Sequence, residues 1–168
     1  MNEELTKIDN SIEPLALYRM MVRCVLRENR CDRISNDSDE HAKVLIEELI
    51  DSASSSVDVY CHALSADVWM SSGVLRAIKS AKSRGVVFRI VTQECPNDLV
   101  VSRFGGLGIS VVINMKVKLD SNFLIVDKKA FRVEEDFRVR AGFAYANKPE
   151  FATILNNAFY AIYEATEK

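Results

Sequence analysis

"VKLDSNFLIVDKKAF" (Val117–Phe131) divides into two unlike halves. The second, "NFLIVDKKAF", is rich in β-branched and aromatic residues and reads as a strand, a tight turn at Asp127-Lys128-Lys129 and the start of an antiparallel strand, "KAFRVE". The first sets Asp120, Ser121 and Asn122 just before that strand, where polar side chains are free to do chemistry. Asp120 and Asp127 bracket the strand at about 20 Å if it is extended, too far for a paired general acid and base.

Upstream, the pattern is one of alternating strands and helices. "VDVYC" is a short strand. "SADVWMSSGVLRAIKSAKSRG" is mostly helix, with Val74, Leu75, Ala77, Ile78 and Ala81 on one face and Gly85 placed to end it. "VVFRIVT" is the next strand, "NDLVVSRFGGLG" a short helix and turn, and "ISVVIN" a third strand. Downstream, "GFAYA" is a last strand before a long final helix. Asn147 is placed to cap that helix, with Pro149 and Glu150 in its first turn. Its expected buried stripe is Phe151, Ile154, Leu155, Ala158, Phe159, Ile162 and Tyr163. A β-α-β unit followed by antiparallel strands and a closing helix predicts an α/β domain whose mixed sheet is flanked by helices.

At the other end, "SIEPLALYRMMVRCVLREN" carries Leu15, Tyr18, Val22, Val25 and Leu26 at helical spacing. The polar run "RCDRISNDSDE" breaks the pattern. Ser38 then caps a helix with Ala42, Leu45, Ile46, Leu49, Ile50 and Ala53 inward.

The 168 residues suit one domain, and 48% apolar with 27% charged residues is ordinary for a globular protein. A net charge of -2 gives no general attraction to nucleic acid or anionic lipid, although residues 101–140 carry eight basic and five acidic side chains. "MNEELTKIDN" lacks the basic and apolar segments of a signal peptide, and no apolar run approaches the roughly 20 residues of a membrane span, so a cytoplasmic location is expected. Cys24, Cys31, Cys61 and Cys95 form no C-x-x-C pair and read as free structural thiols.

Few residues offer chemistry. "FGGLG" has neither dinucleotide-loop spacing nor the lysine of a phosphate loop. His41 falls in the first turn of an acidic helix, at the surface. His62 follows "VDVYC" at a strand end, where α/β folds place ligand groups, and is a weak alternative candidate. "EED" (Glu134–Asp136) reads as a solvated loop. With no cluster of His or Cys, neither a metal nor a cofactor is expected.

Taken in order, "SVDVYCHALS", "GVLRAIKSAKSRGVVFRIVT", "NFLIVDKKAFRVEE" and "AYANKPEFATILNNAFYAIYE" resemble a phospholipase D-like domain. The resemblance implies that topology for residues 37–168, with residues 1–36 as an N-terminal helical region. Active members carry His-x-Lys-x4-Asp, the histidine attacking the phosphodiester and the lysine binding its oxygens. Here the histidine position falls on Asp120, the lysine position on Asn122 and the aspartate position on Asp127, so only the last is kept. A following serine and asparagine correspond to Tyr145 and Asn147, with "RVEEDFRVRAGF" as an extra segment between.

A carboxylate at the nucleophile position repels a phosphodiester, and without the lysine nothing stabilises developing oxyanion charge. The expectation is a degenerate, non-catalytic module acting through protein–protein interaction. The relatives' habit of pairing implies a homodimer. The alternatives are a nucleic-acid-binding accessory, less favoured by the charge, and a divergent phosphodiesterase or nuclease relying on His62.

Overall fold

The computed structural model describes residues 13–166. The chain runs α1 (Pro14–Arg27), β1 (Arg33–Asn36), α2 (Asp39–Asp51), β2 (Ser56–Cys61), α3 (Ala66–Trp69), α4 (Ser72–Ser83), β3 (Val87–Thr92), α5 (Asp98–Gly106), β4 (Val111–Ile113), β5 (Asn122–Val126), β6 (Ala130–Asp136), β7 (Ala141–Tyr145) and α6 (Pro149–Thr166). One seven-stranded sheet has the order β1-β7-β6-β5-β2-β3-β4. The β2, β3 and β4 ladders are parallel and the rest antiparallel, so the expected mixed sheet is present.

The alternation of side chains along the strands sends apolar groups to both faces. One face, with Val57, Val59, Ile90, Leu124 and Val126, packs under α1, α2, α3, α4 and α5. The other, with Tyr60, Val91, Phe123, Ile125 and Phe131, packs under α6. Burying β2 on both faces explains why "SVDVYC" reads as a nearly continuous apolar run.

Ser38 caps α2, its Oγ accepting from His41 N at 3.2 Å. Helix α1 lies on α2 through Val22 and Val25 and through charge. Arg19 donates to Glu48 at 2.6 Å and Glu47 at 3.0 Å, Arg23 donates to Glu48 at 2.7 Å, and Arg76 of α4 completes the cluster on Glu47. Among the described residues, no helix is long and apolar enough to cross a membrane.

Four details depart from the sequence reading. The polar run after α1 contains β1, which pairs with β7 about a hundred positions on. The helix expected over 65–85 is broken into α3 and α4. The final helix starts at Pro149 with the Lys148 carbonyl accepting its first bond, from Ala152 N, so Lys148 and not Asn147 takes the cap position. The buried face of α6 is Ala152, Asn156, Phe159 and Ile162, while Phe151 and Ile154 remain 44% and 63% exposed.

Candidate functional site

Asn122 begins β5 between the C-terminal end of β2 and the far end of β6, facing Glu134 across the ladder. Both ends of its amide are bonded. Oδ1 accepts from His62 N at 2.8 Å and lies 2.9 Å from His62 Nδ1, while Nδ2 donates to Glu134 Oε1 at 2.9 Å. Because Oδ1 only accepts, the facing His62 Nδ1 is the donor in that contact, and Nε2 takes no part in it. The ring is half-buried and stacks on Phe137 at 5.5 Å.

Behind Asn122 the network continues inward. Arg132 donates from both terminal nitrogens to Glu134 Oε2 at 3.1 Å, and its Nε donates to Asn36 at 3.2 Å. Arg132 and Glu134 are only 4% and 6% exposed, so this ion pair is a core feature. Burial pulls the Arg132 guanidinium below its ordinary value, with Glu134 acting in the opposite direction. Arg140, in the turn between β6 and β7, has a φ of 54°. Its carbonyl accepts from Asn36 Nδ2 and Arg132, which anchors that left-handed residue. Its own guanidinium is spent on Asp39 at 3.0 Å and Asp67 at 2.7 Å. A cavity of about 40 Å³ remains beneath, bordered by Cys61, Trp69, Asn122, Arg132, Glu134 and Arg140. Water fits there; a phosphodiester does not.

Asp120 is exposed and precedes the strand. It sits at the end of a loop that Tyr60 and Gln93 fix from below, through Leu119 N to Tyr60 Oη and Gln93 Nε2 to Leu119 O. Asp127 lies at the opposite end of β5. Its carboxylate accepts from Ser54, Ser55 and Ser56 N and from the Ser54 and Ser55 hydroxyls, at 2.7–3.0 Å. Desolvation raises its pKa, but the serine bonds outweigh this and hold the carboxyl below its usual range. The structure thus brings Asn122 and His62 together and leaves Asp120, Asp127 and Asn147 elsewhere. Asn147 follows β7, whose end pairs beside the Asp127 turn through Phe131 and Tyr145, so it is a strand's length from Asn122.

The sequence reading missed Glu134 and Arg132. "EED" is not a loop: all three residues belong to β6, and Glu134 is buried. The signal was the period of two, which places Arg132 and Glu134 on one face with Asn122 opposite. The segment "RVEEDFRVRAGF" is the β6–β7 hairpin, with Phe137 and Val139 exposed at its tip. His41 stacks on Tyr18 at 4.2 Å. Of the thiols, Cys61 is buried, and burial pushes its pKa up. Cys31 and Cys95 are exposed and hold no core position. Among the described residues, no group of three or more His, Cys, Asp or Glu is placed to hold a metal ion.

No family model and no curated relative matches the sequence. Solved structures do match. Nuc from Salmonella typhimurium, a phospholipase D family member, superposes with a TM-score of 0.65 at 19% identity, over 79% of this chain and 94% of Nuc. The fold is phospholipase D-like. NucT from Helicobacter pylori gives a TM-score of 0.60 at 16% identity, over 80% of this chain and 96% of NucT. TrmBL2, an archaeal chromatin protein with a novel mode of DNA binding, gives 0.53 at 13% identity, over 79% of this chain and 52% of TrmBL2. In this phospholipase D-like chain, the end of β5 that carries Asn122 is closed by its own side chains.

Proposed function

We propose that the chain is a non-catalytic phospholipase D-like module that works by binding a protein partner. The observation that carries this is the Asn122 amide, bonded to His62 and Glu134 at the place where the family resemblance would put a phosphate-binding lysine. The guanidinium groups that border the same cavity are neutralised by Glu134, Asp39 and Asp67, leaving no free cation there to hold a phosphate. Phe137, exposed and stacked on His62, and the exposed Val139 of the same hairpin suit a protein surface better than a polyanion. Of the exposed lysines, Lys116 and Lys118 lie at one end of β5, Lys128 and Lys129 at the other and Lys79 on α4, so they are not gathered at the Asn122 end to hold a nucleic-acid backbone.

A second reading, a divergent phosphodiesterase or nuclease, is favoured by the His62–Asn122 contact, which leaves Nε2 available as base or nucleophile. The likeness to Nuc and NucT is consistent with it. One experiment separates the two. Purified protein should leave bis(4-nitrophenyl) phosphate and DNA intact, with or without added divalent metal. Turnover that disappears in a His62→Ala variant would overturn the first reading in favour of the second.

A further inference from the structure

The sheet ends on two strands, β1 and β4, whose edges are unlike. At β1 the Ser35 carbonyl accepts from Tyr18 Oη at 3.1 Å, and Asp32, Arg33 and Asp37 put charge in or beside the strand. Charges and a covering side chain are what keep an edge from pairing with another chain. At β4 neither is present. The Asn114 amide donates to the Thr92 carbonyl at 2.8 Å, and Val112 pairs with Val91. Backbone groups alternate along a strand, so Val112 and Asn114 face β3 while Val111 and Ile113 turn their N–H and C=O outward. Among the described residues no strand lies beyond them. The side chains add no guard: Ile113 is 40% and Met115 72% exposed, and "GISVVINM" holds no charge.

We infer that the β4 edge takes up an extended apolar segment of a partner protein, added to the sheet as a further strand. This rests on the protein-binding reading above and names the surface and the form of the partner. The outward groups of Val111 and Ile113 are donors and acceptors at strand spacing. An extended backbone matches them, whereas the backbone of a helix is already bonded to itself. Alternate side chains of the added strand continue the two faces of the sheet. A groove of about 370 Å³ between the end of β4 and the last turn of α6, bordered by Ile113, Met115, Lys116, Val117 and Ala165, seats one of them. Charge sets the flank. Residues 101–119 carry Arg103, Lys116 and Lys118 and no acidic side chain, and both lysines are exposed just past β4. The fitting segment is therefore acidic at the end beside Lys116, which in the more stable antiparallel pairing is its N-terminal end.

The probe is a fluorescein-labelled peptide of alternating valine and threonine led by a pair of glutamates. Because β4 has only 3 residues and makes a short ladder, anisotropy titrations should extend to about 500 µM. Saturable binding is expected, with slowed hydrogen exchange at the outward amides of Val111 and Ile113. Methylating the peptide's backbone nitrogens along one edge should abolish binding, and along the other edge should leave it, a result that needs no protein variant. Ile113→Pro removes an outward N–H without touching the ladder to β3, so it should keep the fold by circular dichroism and weaken binding at least tenfold. Lys116→Glu with Lys118→Glu should weaken it at least tenfold at low salt and favour a peptide led by lysines. Met20→Glu, on the exposed apolar face of α1, should change nothing. No binding overturns the inference, as does binding indifferent to which edge is methylated, or copies of the chain that pair through Ile113 in place of the peptide. Hydrolysis is read separately. Turnover lost in His62→Ala strikes the non-catalytic reading whatever the peptide does, and an unbound peptide without turnover strikes the β4 edge alone.

Discussion

At its C-terminal end β5 closes on Asp127, whose carboxylate is gripped by the backbone and hydroxyls of Ser54, Ser55 and Ser56. At its N-terminal end it opens on Asn122, whose amide joins His62 to Glu134 and, through it, to the buried Arg132. The first end ties a turn to a loop some seventy residues earlier. The second is a relay of side chains in which each satisfies the next. A carboxylate that accepts from three successive amides and two hydroxyls has no equivalent among neutral side chains. The other end has a core ion pair, Arg132 with Glu134, behind it.

The comparison predicts unequal costs. Glu134→Ala removes the only carboxylate paired with Arg132 among the described residues and should cost about 3–5 kcal/mol in urea unfolding. Replacing both, Arg132→Met with Glu134→Leu, should recover most of that loss; equal damage in the double variant would show that the pair adds more than mutual neutralisation. Asp127→Ala should cost less, about 2–3 kcal/mol, because its bonds are partly exposed.

The same residue gives a pH test. The folded-state pKa of Asp127 is below the unfolded value of about 3.9, so its contribution is complete above that pH and is lost as pH falls through the folded value. Acid unfolding of Asp127→Asn should therefore converge with that of the natural chain at low pH and diverge from it toward neutrality. A constant difference would detach the carboxylate's charge from its role.

Two smaller effects sharpen the contrast. Gly142 pairs with Glu134 where β6 and β7 approach so closely that an added Cβ would meet the Val133 carbonyl oxygen. Gly142→Ala should cost about 2 kcal/mol and disturb the Asn122 end alone, which amide exchange of β6 would report. Asp120→Ala, at an exposed loop position, should change stability by less than about 0.5 kcal/mol.

The β5–β6 hairpin, the β2–α4–β3 unit and the Ser38 cap were legible in the sequence, because period and capping chemistry are local. Strand β1 was not: "RISN" is short and polar, and it becomes a strand only by pairing with β7. Glu134 was hidden by its neighbours Glu135 and Asp136, since three acidic residues in a row suggest water until one of them finds a buried guanidinium. The face of α6 was misjudged because apolar residues occupy two stripes, and periodicity alone does not say which one meets the sheet. The bond of Asn122 to His62 was not legible, because it depends on β2 and β5 lying side by side.

The charge cluster beneath α1 also bears on where this chain can be cut. Glu48 is 4% exposed and holds its charge against Arg19 and Arg23, both supplied by α1. A fragment starting at residue 37 would strand that carboxylate without its cations. It would also strip β1 from β7, leaving a raw edge that invites aggregation. Any block transplanted intact into another protein would have to carry the sheet together with its first helix.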